Sequence, residues 1–163
     1  MTSPSESSVK HPNVAGQFYS ANSTELSKNI KDYMSKANVQ SLPEDVDVII
    51  APHAGYVYSG QVAAYSFKAV SQKKYQTIVI LAPSHFYSFD GISVWQKGSF
   101  QTPLGKVNVD EDFTQQLLDA HDKVIYEPKA FEKEHSLEVE IPFLQEIYAD
   151  FKIVPVVMGY PSY

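Results

Sequence analysis

Hydrophobic residues fall along this chain in two rhythms. Between residues 22 and 37 they recur at helical spacing, with Leu26, Ile30, Tyr33 and Met34 in phase. Asn22, followed three residues later by Glu25, fits a capping box at the start of that helix. Two later stretches, DVDVIIAPH (45–53) and TIVILAPSH (77–85), run apolar without a break and end alike, on a small residue, a proline and a histidine. Continuous runs of this kind suit strands buried on both faces of a parallel sheet. Between them GQVAAYSFKAV (60–70) reads as a helix, with Ser59 as candidate N-cap and Val62, Ser66, Phe67 and Val70 toward one face. Strand, helix and strand make one βαβ unit. Its right-handed crossover sets the two strands parallel and brings both C-terminal ends to one edge.

Shorter strands are expected at GISVW (91–95) and KVNVD (106–110), joined through the turn-rich KGSFQTPLG. Asp110 is placed to cap a helix carrying Phe113, Leu117 and His121, and KVIYE (123–127) reads as another strand. In EHSLEVEIPFLQEIYADF, Leu137, Ile141, Leu144, Tyr148 and Phe151 keep near-helical spacing; Pro142 either kinks that helix or lies in its first turn. KIVPVVM (152–158) resembles a final buried strand, in which Pro155 argues for an edge or a bulge. The expected architecture is one α/β domain over residues 14–163, a mostly parallel or mixed central sheet with flanking helices, behind a flexible polar tail over 1–13. The chain stops a few residues after its last strand, where a parallel sheet normally continues into a covering helix. The domain is therefore expected to be an N-terminal part, with its sheet incomplete.

Composition narrows the function. The 163 residues are 44% hydrophobic and 20% charged, an ordinary globular balance. The formal net charge of -6 is spread without a basic stripe, which gives a nucleic-acid partner no electrostatic footing. No apolar run is long enough to span a bilayer, and the polar start MTSPSESSVK lacks the core of a signal peptide, so the cytoplasm is the default location. The absence of cysteine excludes disulfides and any thiolate or Cys-ligated metal supplied by this chain.

The candidate chemistry is imidazole. Ligands of open α/β sheets sit in the crevice beyond the carboxyl ends of the strands, and Pro52 and Pro83 each remove a ladder donor there. His53 and His85 are thus expected to emerge into one cleft. Adjacent strands lie roughly 4.8 Å apart, so two such rings can converge on an ion at bonds of about 2.1 Å. Neutral imidazole suits Fe, Zn, Cu or Ni. Two histidines leave a site incomplete, and a loop histidine bonded only to backbone is the plain alternative for either. In EKEHSLEVE, His135 lies between Glu134 and Glu138, an arrangement suited to a general base or to support of a ligand. A solvated, capped helix start, with Ser136 as cap, explains the same letters. His11 and His121 read as surface or partly packed histidines. Tyr56 and Tyr58 follow His53 in a Gly-containing turn and are within reach of the crevice, or are plain packing. Ser84 lacks a G-x-S-x-G elbow, and no Walker loop or dinucleotide fingerprint is present.

Taken in order, VAGQFYS, APHAGYVYSGQVAAYSFK, LAPSHFYSFDGISVW, TPLGKVNVD, EHSLEVEIPFLQ and KIVPVVMG resemble the Memo family, collinearly from about Val14 onward. The resemblance implies a fold like that of class III non-haem iron (extradiol) dioxygenases. It implies iron or copper as cofactor, with His53 and His85 as metal ligands and Phe18 and Tyr58 lining the same cleft. For the animal member it also implies receptor-tyrosine-kinase signalling, cell motility and phosphopeptide binding. The family pattern continues through a second half with a further His and a Cys at the metal site, and this sequence has neither that half nor any cysteine.

Three functions follow as expectations. The first is a metal-binding protein with a dioxygenase-like or redox role, in which His135 assists proton transfer or positions a bound group, and Glu138 joins Phe18 and Tyr58 in lining the substrate or peptide cleft. The second is a peptide- or phosphopeptide-binding scaffold that uses the same cleft without turnover. The third is an incomplete unit whose bare apolar face or edge demands a partner chain.

Overall fold

The computed structural model describes residues 9–40 and 46–160. Helix α1 (Ser23–Lys36) starts where its cap predicts: the Glu25 amide donates to Asn22 Oδ1 at 3.0 Å. The return half of the capping box is absent, because the Glu25 carboxylate accepts from Ser20 Oγ instead. Leu26 and Ile30, one turn apart, are fully buried where α1 packs on α2 (Tyr56–Val70) and on the later α5 (Ile141–Ile147). The two helices approach so closely at Gly60 that an added Cβ would sit 2.8 Å from the Tyr33 ring.

The sheet is mixed and centres on its last strand. Strand β1 (Val9–Lys10) pairs in parallel with β4 (Ser99–Thr102), which forms a hairpin with β5 (Gly105–Val109). The remaining strands are β2 (Thr77–Pro83), β3 (Ile92–Val94), β6 (Val124–Ile125) and β7 (Lys152–Met158). β2 runs parallel to β7 along its whole length, from Thr77↔Lys152 to Pro83↔Met158. The other edge of β7 is shared, with β5 against Lys152 and Ile153 and β3 antiparallel to residues 156–158. Strand β6 lies beyond β3.

Pro155 is therefore in a central strand, not at the edge or bulge expected from sequence. Its carbonyl accepts from the Trp95 amide, so its missing N–H faces that same side, in the gap where β5 has ended and β3 has yet to begin. The register sets Trp95 opposite Pro155, so the proline forgoes only the reciprocal bond to the Trp95 carbonyl, just where the β3 pairing ends.

Helix α3 (Glu111–Ala120) is capped by Asp110, whose Oδ1 accepts from the Phe113 amide as predicted. It covers one face of the sheet, where Val94, Val154 and Val156 are buried with Leu117 packed on them. The short α4 (Lys129–Glu132) and a 3-10 turn over Glu138–Glu140 lead into α5 (Ile141–Ile147), with Pro142 in its first turn. The main core lies on the opposite face. There Phe67 stacks on Phe143 with ring centres 4.9 Å apart, Tyr56 packs on the same ring, and Trp95 meets Phe131 edge-on. Each fully buried side chain of this kind contributes about 1.5–3 kcal/mol.

Several expectations are corrected here. The run at 46–53 forms no strand; it is extended and unpaired, with Val48 82% and Ile50 90% exposed. Hydroxyls from elsewhere take two of its carbonyls, Ser66 Oγ on Ile50 O at 2.7 Å and the Tyr75 hydroxyl on Val46 O at 2.9 Å. The expected βαβ partner of β2 is thus supplied by β7. Nor is β2 buried on both faces: Ile80 and Ala82 are buried, whereas Val79 and Leu81 are 50% and 58% exposed. The stretch read as turn-rich, 97–105, contains β4, and α2 starts at Tyr56 rather than Ser59, which puts Tyr56 and Tyr58 in its first turn. Of the expected tail, residues 1–8 lie outside the described residues, while Val9 and Lys10 are paired in the sheet and Asn13 is hydrogen-bonded to the 131–138 segment. No helix among the described residues is long and apolar enough to cross a membrane.

Candidate metal centre

Three separate segments deliver a histidine to one place. His53 lies just before α2, where the Tyr56 amide donates to Phe18 O at 2.7 Å and ties that corner to the turn over residues 16–18. His85 follows β2, as its sequence context predicts; the Ser84 amide donates to Met158 O, and Ser84 Oγ closes a turn on Tyr87 O at 2.6 Å. His135 follows α4 and opens the turn toward α5, its carbonyl accepting from the Val139 amide. Ring centres are 4.6 Å apart for His85–His135, 5.3 Å for His53–His85 and 6.1 Å for His53–His135.

Those separations suit convergence on an ion. An imidazole bound at about 2.1 Å has its centre roughly 3.2 Å from the metal, so two ligating rings stand roughly 4.5–5.3 Å apart at octahedral to tetrahedral angles. Two of the three pairs fall at that spacing and the third is somewhat wider. Burial lowers the pKa of His53, with the neighbouring His85 adding to the effect and Glu134 opposing it; burial likewise lowers that of His135, again against Glu134. Both rings are therefore held in the neutral form that ligates metals.

Beneath the histidines lies Glu134, whose side chain is only 1% exposed. Its Oε1 accepts from the His135 and Ser136 amides, each at 2.9 Å, and lies 2.9 Å from His85 Nδ1; Oε2 accepts from the His85 amide at 2.6 Å. Burial works against its ionisation, but the bonds from the His85 and Ser136 amides and the His85 ring outweigh it and hold the carboxyl below its ordinary range. His85, Glu134 and His135 form a group whose donor atoms lie within 4.8 Å of one another, spacing that could hold a metal ion. Ser136 does not cap a helix; its hydroxyl donates to Pro83 O at 3.1 Å and joins this loop to the end of β2.

The remaining site candidates divide. The Phe18 ring meets His135 edge-on at 4.9 Å, so it belongs to the cluster. Tyr58 lies on α2 with its side chain largely exposed. Glu138 is buried, and its carboxylate gathers the N-terminal segment: Oε1 accepts from the Tyr19 hydroxyl at 2.6 Å and the Val14 amide at 3.0 Å, Oε2 from the Asn13 amide at 2.6 Å. Phe86, unnamed in the sequence reading, is exposed beside both His85 and His135. Its place directly after the proline-Ser-His phrase was the available signal. His121 is exposed and paired with Asp122, and His11 is exposed, so neither joins the cluster.

The fold and site together define an α/β protein with a three-histidine cluster buttressed by a buried carboxylate, at the end of its longest parallel strand pair. The chain belongs to the Memo family, whose profile, described as Memo-like protein, matches residues 10–163. It is 36% identical over 155 residues to a MEMO1 family protein of Nitrosopumilus maritimus, covering 92% of this chain and 56% of that one. A MEMO1 family protein of Methanobrevibacter smithii is 38% identical over 161 residues (93% and 57%), and one of Sulfolobus acidocaldarius 36% identical over 162 (92% and 57%). The chain thus spans somewhat over half the length of these relatives.

Proposed function

We propose that this protein binds a redox-active metal, iron or copper, on His53, His85 and His135. The observation that carries the reading is the convergence of three imidazoles, those of His53 and His135 partly buried and that of His85 exposed, from three segments distant in sequence, on ring-centre spacings of 4.6–6.1 Å. The donor set fits such an ion: imidazole nitrogens suit Fe, Cu and Zn, and the lowered pKa values of His53 and His135 spare the metal competition with protons. Phe18 and Phe86 place aromatic rings beside His135, 4.9 and 5.9 Å from its centre. When bound, the ion supplies Lewis-acid and one-electron chemistry of the kind a dioxygenase-like or redox role needs.

Anaerobic titration with iron(II), followed by calorimetry, tests the reading. Wild type is expected to take up one equivalent, and His53→Ala and His85→Ala to bind at least about tenfold more weakly. Equal and negligible binding by all three proteins would remove the metal role. A second reading, recognition of a peptide without turnover, draws on the exposed aromatic surface of Tyr58 and Phe86. The sequence contains no arginine, the residue that most favours bidentate phosphate recognition, so an unphosphorylated aromatic-binding segment is the better ligand class. Metal-free titration with tyrosine-containing peptides, phosphorylated and not, separates the two readings, since binding that requires iron counts against the scaffold.

A further inference from the structure

We propose that Glu134 is a positioning residue that fixes His85 as the Nδ1–H tautomer and so reserves His85 Nε2 for the metal; the second clause rests on the metal reading above. The argument is an inventory of donors. Three of the four closest groups at the Glu134 carboxylate are backbone amides, of His85, His135 and Ser136; the His135 ring stands farther off, with Nδ1 3.5 Å from Oε1. An amide N–H can only donate, so both carboxylate oxygens must be acceptors. The fourth group is His85 Nδ1, 2.9 Å from the same Oε1 that serves His135 and Ser136. Two acceptors do not face each other at that distance, so Nδ1 carries the proton. In the neutral ring the lone pair then belongs to Nε2.

The same carboxylate grips His85 twice, through its amide on Oε2 at 2.6 Å and its ring on Oε1 at 2.9 Å. The ring is thereby oriented against its own main chain, and the Ser136 hydroxyl on Pro83 O holds the two loops together beside it. Glu134 is accordingly not a ligand in its own right, although its oxygens lie within 4.8 Å of the ring nitrogens. Its Oε1 already serves three donors, and its side chain is 1% exposed. The arrangement is that of a carboxylate supporting a ligating histidine from behind. The sequence pairs Glu134 with its neighbour His135; the fold keeps that ring at 3.5 Å and brings a ring 49 residues away closer, to 2.9 Å.

Long-range proton–nitrogen NMR of metal-free protein labelled with 15N-histidine tests this. Wild-type His85 is expected to show a protonated Nδ1 and a bare Nε2, and Glu134→Gln to return it toward the Nε2–H form that free imidazole favours in water. The substitution is close in shape, but its amide NH2 must face a donor. In parallel, iron(II) affinity should fall roughly 10–100-fold in Glu134→Gln. A wild-type His85 in the Nε2–H form, or a tautomer indifferent to Glu134→Gln in a folded protein, would overturn the proposal. If that variant does not fold, the wild-type spectrum alone still decides the tautomer. Failure of wild type to bind iron, with the tautomer as expected, would overturn the metal reading and leave the fixing of His85 supported.

Discussion

The carboxyl end of β2 and its outer edge are built on opposite principles. At the carboxyl end of β2, the histidine loops are locked by buried carboxylates: Glu134 accepts from four donors and Glu138 from three. Along its outer edge, β2 has no partner strand among the described residues. Its face toward α3 leaves Val79 and Leu81 open, with Val48 and Ile50 exposed on the neighbouring extended segment. Val79 and Leu81 lie in register with Val154 and Val156, which are buried beneath α3. The same sheet face is thus covered over β7 and bare over β2. The site half is finished by polar clasps, whereas the edge half displays the apolar, unpaired surface that ordinarily belongs in an interior.

The largest effect that would break this contrast belongs to the clasps. Glu138→Ala leaves two amides and a tyrosine hydroxyl without their acceptor. It is expected to cost about 3 kcal/mol or more in urea unfolding, because unsatisfied buried donors bear their full desolvation cost. A loss below about 1 kcal/mol would mean the N-terminal segment is not held by that carboxylate.

Next comes Glu140, whose carboxyl burial pushes up to about 8 from an ordinary value of 4.5. A carboxyl raised in the folded state contributes stability that is full below about pH 4.5 and is lost as pH rises through about 8. Glu140→Gln removes that dependence. Relative to wild type it should gain stability between pH 5 and pH 9, read from denaturation curves at the two pH values. A constant difference across that range would place Glu140 in a more solvated setting.

The smallest effect on stability is expected on the bare face. Leu81→Lys should change unfolding free energy by no more than about 0.5 kcal/mol, and in sedimentation velocity it is expected to associate less with concentration than wild type. If Leu81→Lys costs as much as Glu138→Ala, the face is not open and the contrast fails.

Sequence reading succeeded wherever the physics is local. The Asn22 and Asp110 caps, Pro142 in a first helical turn, and the position of β7 all follow from neighbours a few residues apart. It failed where partnership is distant. The 46–53 run has the composition of a strand, but a strand exists only where another chain segment accepts its ladder, and no letter in that run records the lack of one. Strand β4 was hidden for the converse reason: SFQT is half polar and set among turn residues, yet β5 and β1 pair with it. The repeated strand-proline-histidine phrase brought His53 and His85 together correctly, although only His85 follows a strand. The carboxylates beside His135 were visible as residues. Their partners were not, because Glu134 reaches His85 and Glu138 reaches Asn13, Val14 and Tyr19 across 49 to 125 positions.

The central claim is that one ion is shared by three imidazoles with Glu134 behind them, and an anomalous difference map at the iron edge, from crystals grown anaerobically with iron(II), tests it most directly. The account predicts a single strong peak about 2.1 Å from ring nitrogens of His53, His85 and His135, with His85 contributing Nε2 and no Glu134 oxygen in the coordination sphere. A peak bound through Glu134, or lying away from these three rings, would contradict it.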